Sequence, residues 1–215
     1  MKKFILSIAL VAAAATTAFA QIEGLSVGAG YTTSTMKVTA TSGSTTNTDS
    51  QEFGGFYAGA SYTVLTLGPG IGITPGLYFS SVSYKKDKDI LGGVESGSES
   101  YLNLPINFSY KLDLVPGTLA IAPYVGPTFS LGLASKVKYE NGSTTNTTDL
   151  YGDDSDYSKF NIAIGGGLAL DIVDMIRVTV GYNYGLLNRY TGDQDPVKYN
   201  YNNNTGFNFG VAYLF

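Results

Sequence analysis

The chain has no cysteine, no histidine and no tryptophan, and only 14% of its 215 residues are charged. Without cysteine there is no disulfide framework, no thiolate metal site and no cysteine nucleophile. Without histidine the Ser-His-Asp triad, histidine metal clusters and a side chain titrating near neutral pH are all excluded. Positive charge is also scarce, 13 Lys and Arg against 17 Asp and Glu, which argues against a nucleic-acid partner. Soluble domains carry about 25% charged residues, so the surface here is short of charge. Residues 53–84 and 118–135 have no charged side chain at all. These stretches are long enough for membrane helices, yet they are punctuated by glycine and proline and alternate with period two, which is strand geometry.

The first twenty residues read as a leader. Lys2 and Lys3 form a positive n-region, Phe4 to Ala15 an apolar h-region, and Ala18-Phe19-Ala20 an A-x-A cleavage site. The expected division is a signal peptide over 1–20 and one domain over 21–215. Removing the two leader lysines leaves 11 basic and 17 acidic side chains, a net charge of -6. Export without cysteines fits a bacterial envelope better than a disulfide-stapled extracellular scaffold.

The remainder repeats one pattern eight times. In the last segment Phe207, Phe209, Val211, Tyr213 and Phe215 alternate with Asn208, Gly210, Ala212 and Leu214. The same split holds over 176–186, 160–172, 119–133 and 102–112, where the bulky face is apolar at every position except Gly166. Three earlier segments, beginning near Leu25, Phe56 and Ile71, follow it more weakly. Eight strands of roughly ten residues are what a small transmembrane barrel requires. The fold class expected is therefore all-β, an eight-stranded antiparallel up-and-down transmembrane β-barrel.

Connection lengths alternate as well. Gly68-Pro69-Gly70, Val115-Pro116-Gly117 and Val173-Asp174 mark tight turns, while Thr39 to Gln51, Lys85 to Ser98, Tyr139 to Asp156 and Thr191 to Asn204 are long, polar, exposed and expected to be mobile. Short turns at one end and long loops at the other are the mark of an outer-membrane barrel, with both termini on the periplasmic side. A soluble periplasmic barrel with a hydrophobic ligand would show the same alternation. Its outer face would carry many Lys and Glu, whereas the second face here is mostly Gly, Ala, Asn, Ser and Thr. Small polar residues suit a narrow lumen, and the bulky face then meets lipid. Pro105, Pro123 and Pro127 fall inside predicted strands and are expected to sit at bulges.

The leader, the eight amphipathic segments and the ending GFNFGVAYLF resemble small porin-like outer-membrane β-barrel proteins of the OmpX and OmpA-barrel type. YLNLPINFSYKL (101–112) and APYVGPTFSLGL (122–133) resemble two strands of the outer-membrane β-barrel domain common in Bacteroidetes-type envelopes. The resemblance implies that Phe215, with Tyr213, is the C-terminal signal read by the barrel-assembly machinery. Two lipid-facing aromatic belt residues would look the same.

Lys111, Asp113, Asp171 and Arg177 fall near the short turns, either pairing across the lumen or sitting at its wet rim. Tyr57, Tyr78 and Tyr124 point inward and narrow the bore. Asp149, Asp153, Asp154 and Asp156 cluster in one long loop and read as a solvated acidic loop rather than a Ca²⁺ site, since the spacing is not that of an EF-hand. The Asn-x-Ser/Thr patterns at Asn141, Asn146 and Asn203 lie in Asn/Thr-rich loops and imply no modification. Gly165-Gly166-Gly167 and the Gly68–Gly72 run do not open helices and so are not phosphate cradles. The function expected is that of a non-enzymatic, monomeric outer-membrane barrel without cofactor or metal. It would lie in outer-membrane lipid and serve envelope structure, adhesion, or contact of its loops with a surface ligand or host protein. A narrow channel for ions or small solutes is the alternative, although eight strands leave an interior only wide enough for side chains.

Overall fold

The computed structural model describes residues 22–67, 70–88, 93–141, 144–152, 155–192 and 197–215. The leader with Ala18 and Ala20, the turn residues Gly68 and Pro69, and Asp153 and Asp154 lie outside the described residues. Among the described residues there are eleven strands: β1 (Leu25–Ser42), β2 (Thr45–Tyr62), β3 (Leu65–Leu67), β4 (Ile71–Lys88), β5 (Gly93–Tyr110), β6 (Leu112–Val115), β7 (Leu119–Asn141), β8 (Thr144–Asp149), β9 (Phe160–Ile172), β10 (Ile176–Gly185) and β11 (Val197–Leu214). Eight of them form an antiparallel ring in the order β1, β2, β4, β5, β7, β9, β10 and β11. Here β2 pairs with β4, and β11 returns to β1 with Val27 opposite Tyr213. The short β3, β6 and β8 extend the wall at its ends. Closure leaves no unpaired edge along the band of strands that lipid would surround.

The short turns have residues suited to them. Pro116 presets the first central position and Gly117 supplies a φ of 68° at the second, while the Thr118 N–H donates to the Val115 carbonyl at 2.9 Å. The β9–β10 turn is less usual, since Val173 and Asp174 both take left-handed φ, 47° and 52°. Such a pair matches the right-handed twist of a hairpin, at a steric cost for a β-branched valine.

The long connections differ from expectation. Thr39 to Gln51 is the end of a hairpin, paired from Leu25↔Tyr62 up to Ser42↔Thr45. Lys85 to Ser98 continues the β4–β5 ladder up to Lys88↔Gly93. In the first hairpin the cause is composition: threonine is β-branched and favours the pleat, and its hydroxyls link across strands, Thr39 to Thr48 and Thr41 to Thr46 at 3.2 Å each. Six of the ring strands therefore run 18 to 23 residues, well beyond a bilayer span of about 9–11 residues, while β9 has 13 and β10 has 10. The β2–β4 ladder stops at Gly54↔Ser83. Beyond that level the wall continues as two separate sheets, β11–β1–β2 and β4–β5–β7–β8.

The prolines are not at bulges. Pro123 and Pro127 sit in an unbroken β7–β9 register, opposite Leu168 and Ile164, and Pro105 faces Thr128. Rungs are dropped beside Pro105 while the register is kept, because a missing N–H costs one bond without requiring an inserted residue. The β5–β7 shift falls elsewhere, between Ser100 and Tyr101, where Leu133 is the extra residue.

The two faces are as the alternation implies. Phe207 is 63% exposed and Tyr31 55%, with Leu77, Leu104, Val125, Leu168 and Val180 also turned outward. Ala120, Ala122, Ala163 and Ala169 are buried inside. A belt of exposed large apolar side chains around a closed wall costs heavily in water and is favourable in lipid.

Candidate functional site: the lumen and its two closures

Three tyrosines fill the middle of the lumen, and glycines on the facing strands seat them. A Cβ added to Gly30 would lie 2.7 Å from a ring carbon of Tyr57, one on Gly59 2.8 Å from Tyr78, and one on Gly167 2.7 Å from the Tyr124 hydroxyl. Tyr57 and Tyr78 meet edge to face at 5.8 Å. Among them remains a cavity of about 210 Å³, lined by Tyr57, Tyr78, Tyr124, Asn103, Asn107 and Ser130 among others. It has room for several waters, with hydroxyls and amides to bind them. Asn103 ties this lining together, donating to Ser80 at 2.8 Å and accepting from Ser130 at 2.7 Å.

Toward the short-turn end the structure brings Asp171 and Arg177 together. They face each other across β9 and β10, and the guanidinium grips the carboxylate with two bonds, Nε–Oδ1 2.6 Å and Nη2–Oδ2 2.8 Å. Asp171 is 1% exposed, so this is an inward pair in a low-dielectric setting where the bidentate geometry matters. Lys111 and Asp113 are placed differently. Lys111 bonds Asp174 at 2.9 Å and lies 3.9 Å from Asp113, with all three side chains at least a third exposed. That group forms a wet rim, where ion pairs contribute about 0–1 kcal/mol. Tyr213 and Phe215 pack edge to face at 4.9 Å, and the Phe215 N–H donates to the Leu25 carbonyl at 2.9 Å, which fastens the end of the last strand to the start of the first.

Toward the long-hairpin end lies a network that sequence reasoning missed. Glu99 and Tyr101 on β5 point inward, Ser135 faces them from β7, and Arg189 enters from the segment after β10. Ser135 Oγ donates to Glu99 Oε1 at 3.0 Å, and the Tyr101 hydroxyl donates to Glu99 Oε2. Arg189 Nη1 donates to the Tyr101 hydroxyl at 3.1 Å, Nη2 to the Tyr151 hydroxyl, and Nε and Nη2 to the Ser158 carbonyl at 2.8 and 2.6 Å. Its guanidinium also lies 5.6 and 5.4 Å from the Tyr101 and Tyr151 ring centres. Arg189 and Tyr101 are each 1% exposed and Glu99 3%. Beside this latch Phe53, Val82, Tyr84 and Tyr101 form an apolar cluster, with Phe53 and Tyr84 edge to face at 4.7 Å. The one sequence signal was a carboxylate at Glu99 on the face reserved for small residues. Its partner lies ninety positions away, with no periodicity to reveal it.

Of the acidic loop, Asp149 accepts the Tyr151 N–H at 2.9 Å. Among the described residues no group of His, Cys, Asp or Glu is arranged to hold a metal ion.

The solved structures similar to this chain are outer-membrane barrels. Neisserial surface protein A shares 13% identity, covering 90% of this chain and 98% of its own at a TM-score of 0.49. Ail, the attachment invasion locus protein of Yersinia pestis, shares 14% over 90% of this chain and 99% of its own at 0.41. The outer-membrane enzyme PagL shares 11% over 83% and 97% at 0.42. No curated protein matches the sequence. The model of the outer membrane protein beta-barrel domain matches residues 6–215, and the chain belongs to that outer-membrane family.

Proposed function

We propose that this outer-membrane barrel is non-enzymatic and does not conduct, and that its work is done outside the membrane by the long hairpins it holds rigidly at the cell surface. The observation that carries this reading is the lumen: three tyrosines seated on glycines stand between the Asp171–Arg177 pair at one end and the Glu99–Arg189 latch at the other. A diffusion path would need a continuous wet bore, whereas Tyr57, Tyr78, Tyr124 and Arg177 line the lumen around a cavity of only about 210 Å³. Catalysis has little to work with, because the chain has no histidine base, Asp171 and Arg177 pair with each other, and Glu99 and Arg189 are held by tyrosine and serine groups. The ladders that continue above the band, by contrast, stiffen surface elements that could have been loops. This is the economy expected of a scaffold that presents a ligand-binding surface.

The same reading assigns Tyr213 and Phe215 to recognition by the barrel-assembly machinery and Ala18-Phe19-Ala20 to leader cleavage, with the exported chain starting at Gln21. The barrel acts as a monomer. The test is single-channel recording of the refolded full chain in planar bilayers, after an SDS mobility shift between boiled and unboiled samples has shown that the barrel is closed. The expected record is silent. Reproducible unit openings at modest voltage would overturn the reading in favour of a narrow channel for ions or small solutes.

A further inference from the structure

We infer that the outward face of the β4–β5–β7 sheet, just above the lipid-facing band, is a binding site for the phosphate-bearing headgroups of outer-leaflet lipid. Lys85 on β4 and Lys138 on β7 both lie opposite Ser96 of β5, one on each side, and Lys136 lies opposite Ser98. With strands about 4.8 Å apart and alternate residues about 6.7 Å apart, the three amines rise from a patch of roughly 10 by 7 Å. All three are exposed.

Their outward orientation is built into the wall. Up to Leu133 the odd-numbered residues of β7 face out, as Leu131 and Leu133 do, while Ser130 and Gly132 are buried. The bulge at Leu133 inverts the phase, so that Ser135 turns in toward Glu99 and Lys136 and Lys138 turn out. In an unbroken strand both lysines would point into the lumen. Bulges are the device by which a sheet re-aims side chains.

Height decides what the lysines meet. Lys136 is three residues above Leu133, about 10 Å along a strand tilted 35–45° and so about 7–8 Å above the apolar band, and Lys85 and Lys138 stand one row, about 5 Å, higher. The headgroup layer is about 5–7 Å thick on each side of the hydrocarbon core. A lysine stem can lie back along the wall and place its ammonium inside that layer. Ser83, Ser96 and Ser98 among the lysines, and Ser81 and Ser100 one row nearer the membrane, are small enough to let a headgroup approach. Two acids flank the patch: Glu140, one row further from the membrane, pairs with Lys138, and Asp149, whose carboxylate takes the Tyr151 N–H, stands opposite Lys136 on β8. At this height on β1 and β2 the outward residues are Thr33, Thr35 and Glu52, with Lys37 one row higher, so no comparable cluster stands there.

The test uses the full chain purified in detergent, with lipid occupancy read by native mass spectrometry while lipopolysaccharide is added, either intact or stripped of phosphate. Wild type is expected to bind the intact lipid, and Lys85→Gln/Lys136→Gln/Lys138→Gln to bind it roughly 100-fold more weakly, at about a factor of five per ammonium. The corresponding triple arginine variant and Lys37→Gln should bind as wild type does, and the dephosphorylated lipid should bind wild type as weakly as intact lipid binds the glutamine variant. Equal binding of intact lipid by the glutamine variant, or of the dephosphorylated lipid by wild type, overturns the site. Should the glutamine variant fail to give a heat-modifiable barrel, the salt dependence of wild-type binding decides instead. Occupancy by intact lipid must fall steeply with salt, and a flat response overturns the proposal.

Discussion

Replacing Arg189 by alanine should release the surface segments it holds while leaving the barrel below intact. The side chain is 1% exposed and makes four hydrogen bonds, to the Tyr101 and Tyr151 hydroxyls and twice to the Ser158 carbonyl. Its removal strands the Glu99 network in a water-poor site. Breaking one side of a buried pair costs about 3–5 kcal/mol, which is two to three powers of ten in an equilibrium constant. Among the described residues the network fastens the segments around Tyr151, Ser158 and Arg189 to β5 and β7, so the cost falls first on local opening of those segments. Chymotrypsin reports this directly, because Tyr151 is 8% exposed and lies over Gly132 in the closed state. When opening is fast relative to cleavage, the rate of cutting follows the open population. Cleavage after Tyr151 should therefore speed up by about 100- to 1000-fold in Arg189→Ala, with the boiled-against-unboiled mobility shift retained. The double variant Glu99→Gln/Arg189→Met should fall well short of that, since it leaves no unpaired charge. An unchanged cleavage rate after Tyr151 in a folded Arg189→Ala barrel would refute the latch.

At the other closure, Arg177→Leu leaves Asp171 buried and unpaired and should lower barrel stability by about 3–5 kcal/mol, whereas Asp171→Asn/Arg177→Met should cost far less; urea titration in micelles measures both. Gly55→Val should prevent closure, because the first added carbon would overlap the Ser81 carbonyl on β4, and the heat-modifiable band should be absent from the gel. Deleting Phe215 removes its ring contact with Tyr213 and the bond to Leu25, and should reduce outer-membrane yield in cells more than refolding in detergent if the residue is read by the assembly machinery. On the surface sheet, the hydrogen bond from Lys138, reinforced by its charge, holds the Glu140 carboxyl below the usual carboxylate range. A group lowered in this way contributes stability above its unfolded pKa and loses it as pH falls through the folded one. Its NMR titration midpoint should rise in Lys138→Gln.

What was legible in the sequence was whatever the pleat makes periodic. Strand count, the outward apolar face, the short turns at Pro116-Gly117 and Val173-Asp174, and the inward phase of Tyr57, Tyr78, Tyr124, Asp171 and Arg177 all follow from a period of two. Two kinds of feature escaped. The threonine-rich stretches read as loops because their polarity on both faces breaks the alternation, although β-branching favours the pleat whether or not a residue faces lipid. The Arg189 latch escaped because it is a set of contacts between a strand and two distant segments, and no local rule places Arg189 beside Glu99.

The bulge at Leu133 connects these misses and sets a limit on alternation as evidence. The apolar phase of β7 is regular from Leu119 to Leu133 and then inverts, so extending it into Ser135–Tyr139 assigns each of those side chains to the wrong face. One inserted residue here does two things that the unbroken strand could not. It turns Ser135 inward to the Glu99 carboxylate, which must be satisfied because it is buried, and it turns Lys136 and Lys138 outward, where water and, for Lys138, the Glu140 carboxylate serve their ammonium groups. Undoing it by deleting Leu133 would place lysines beside Arg189 and remove a donor from Glu99. Such a variant should therefore lose the latch and the lysine face together, with Tyr151 cleaved rapidly and lipid occupancy falling in the same protein. Loss of one without the other would show that the bulge does not couple them.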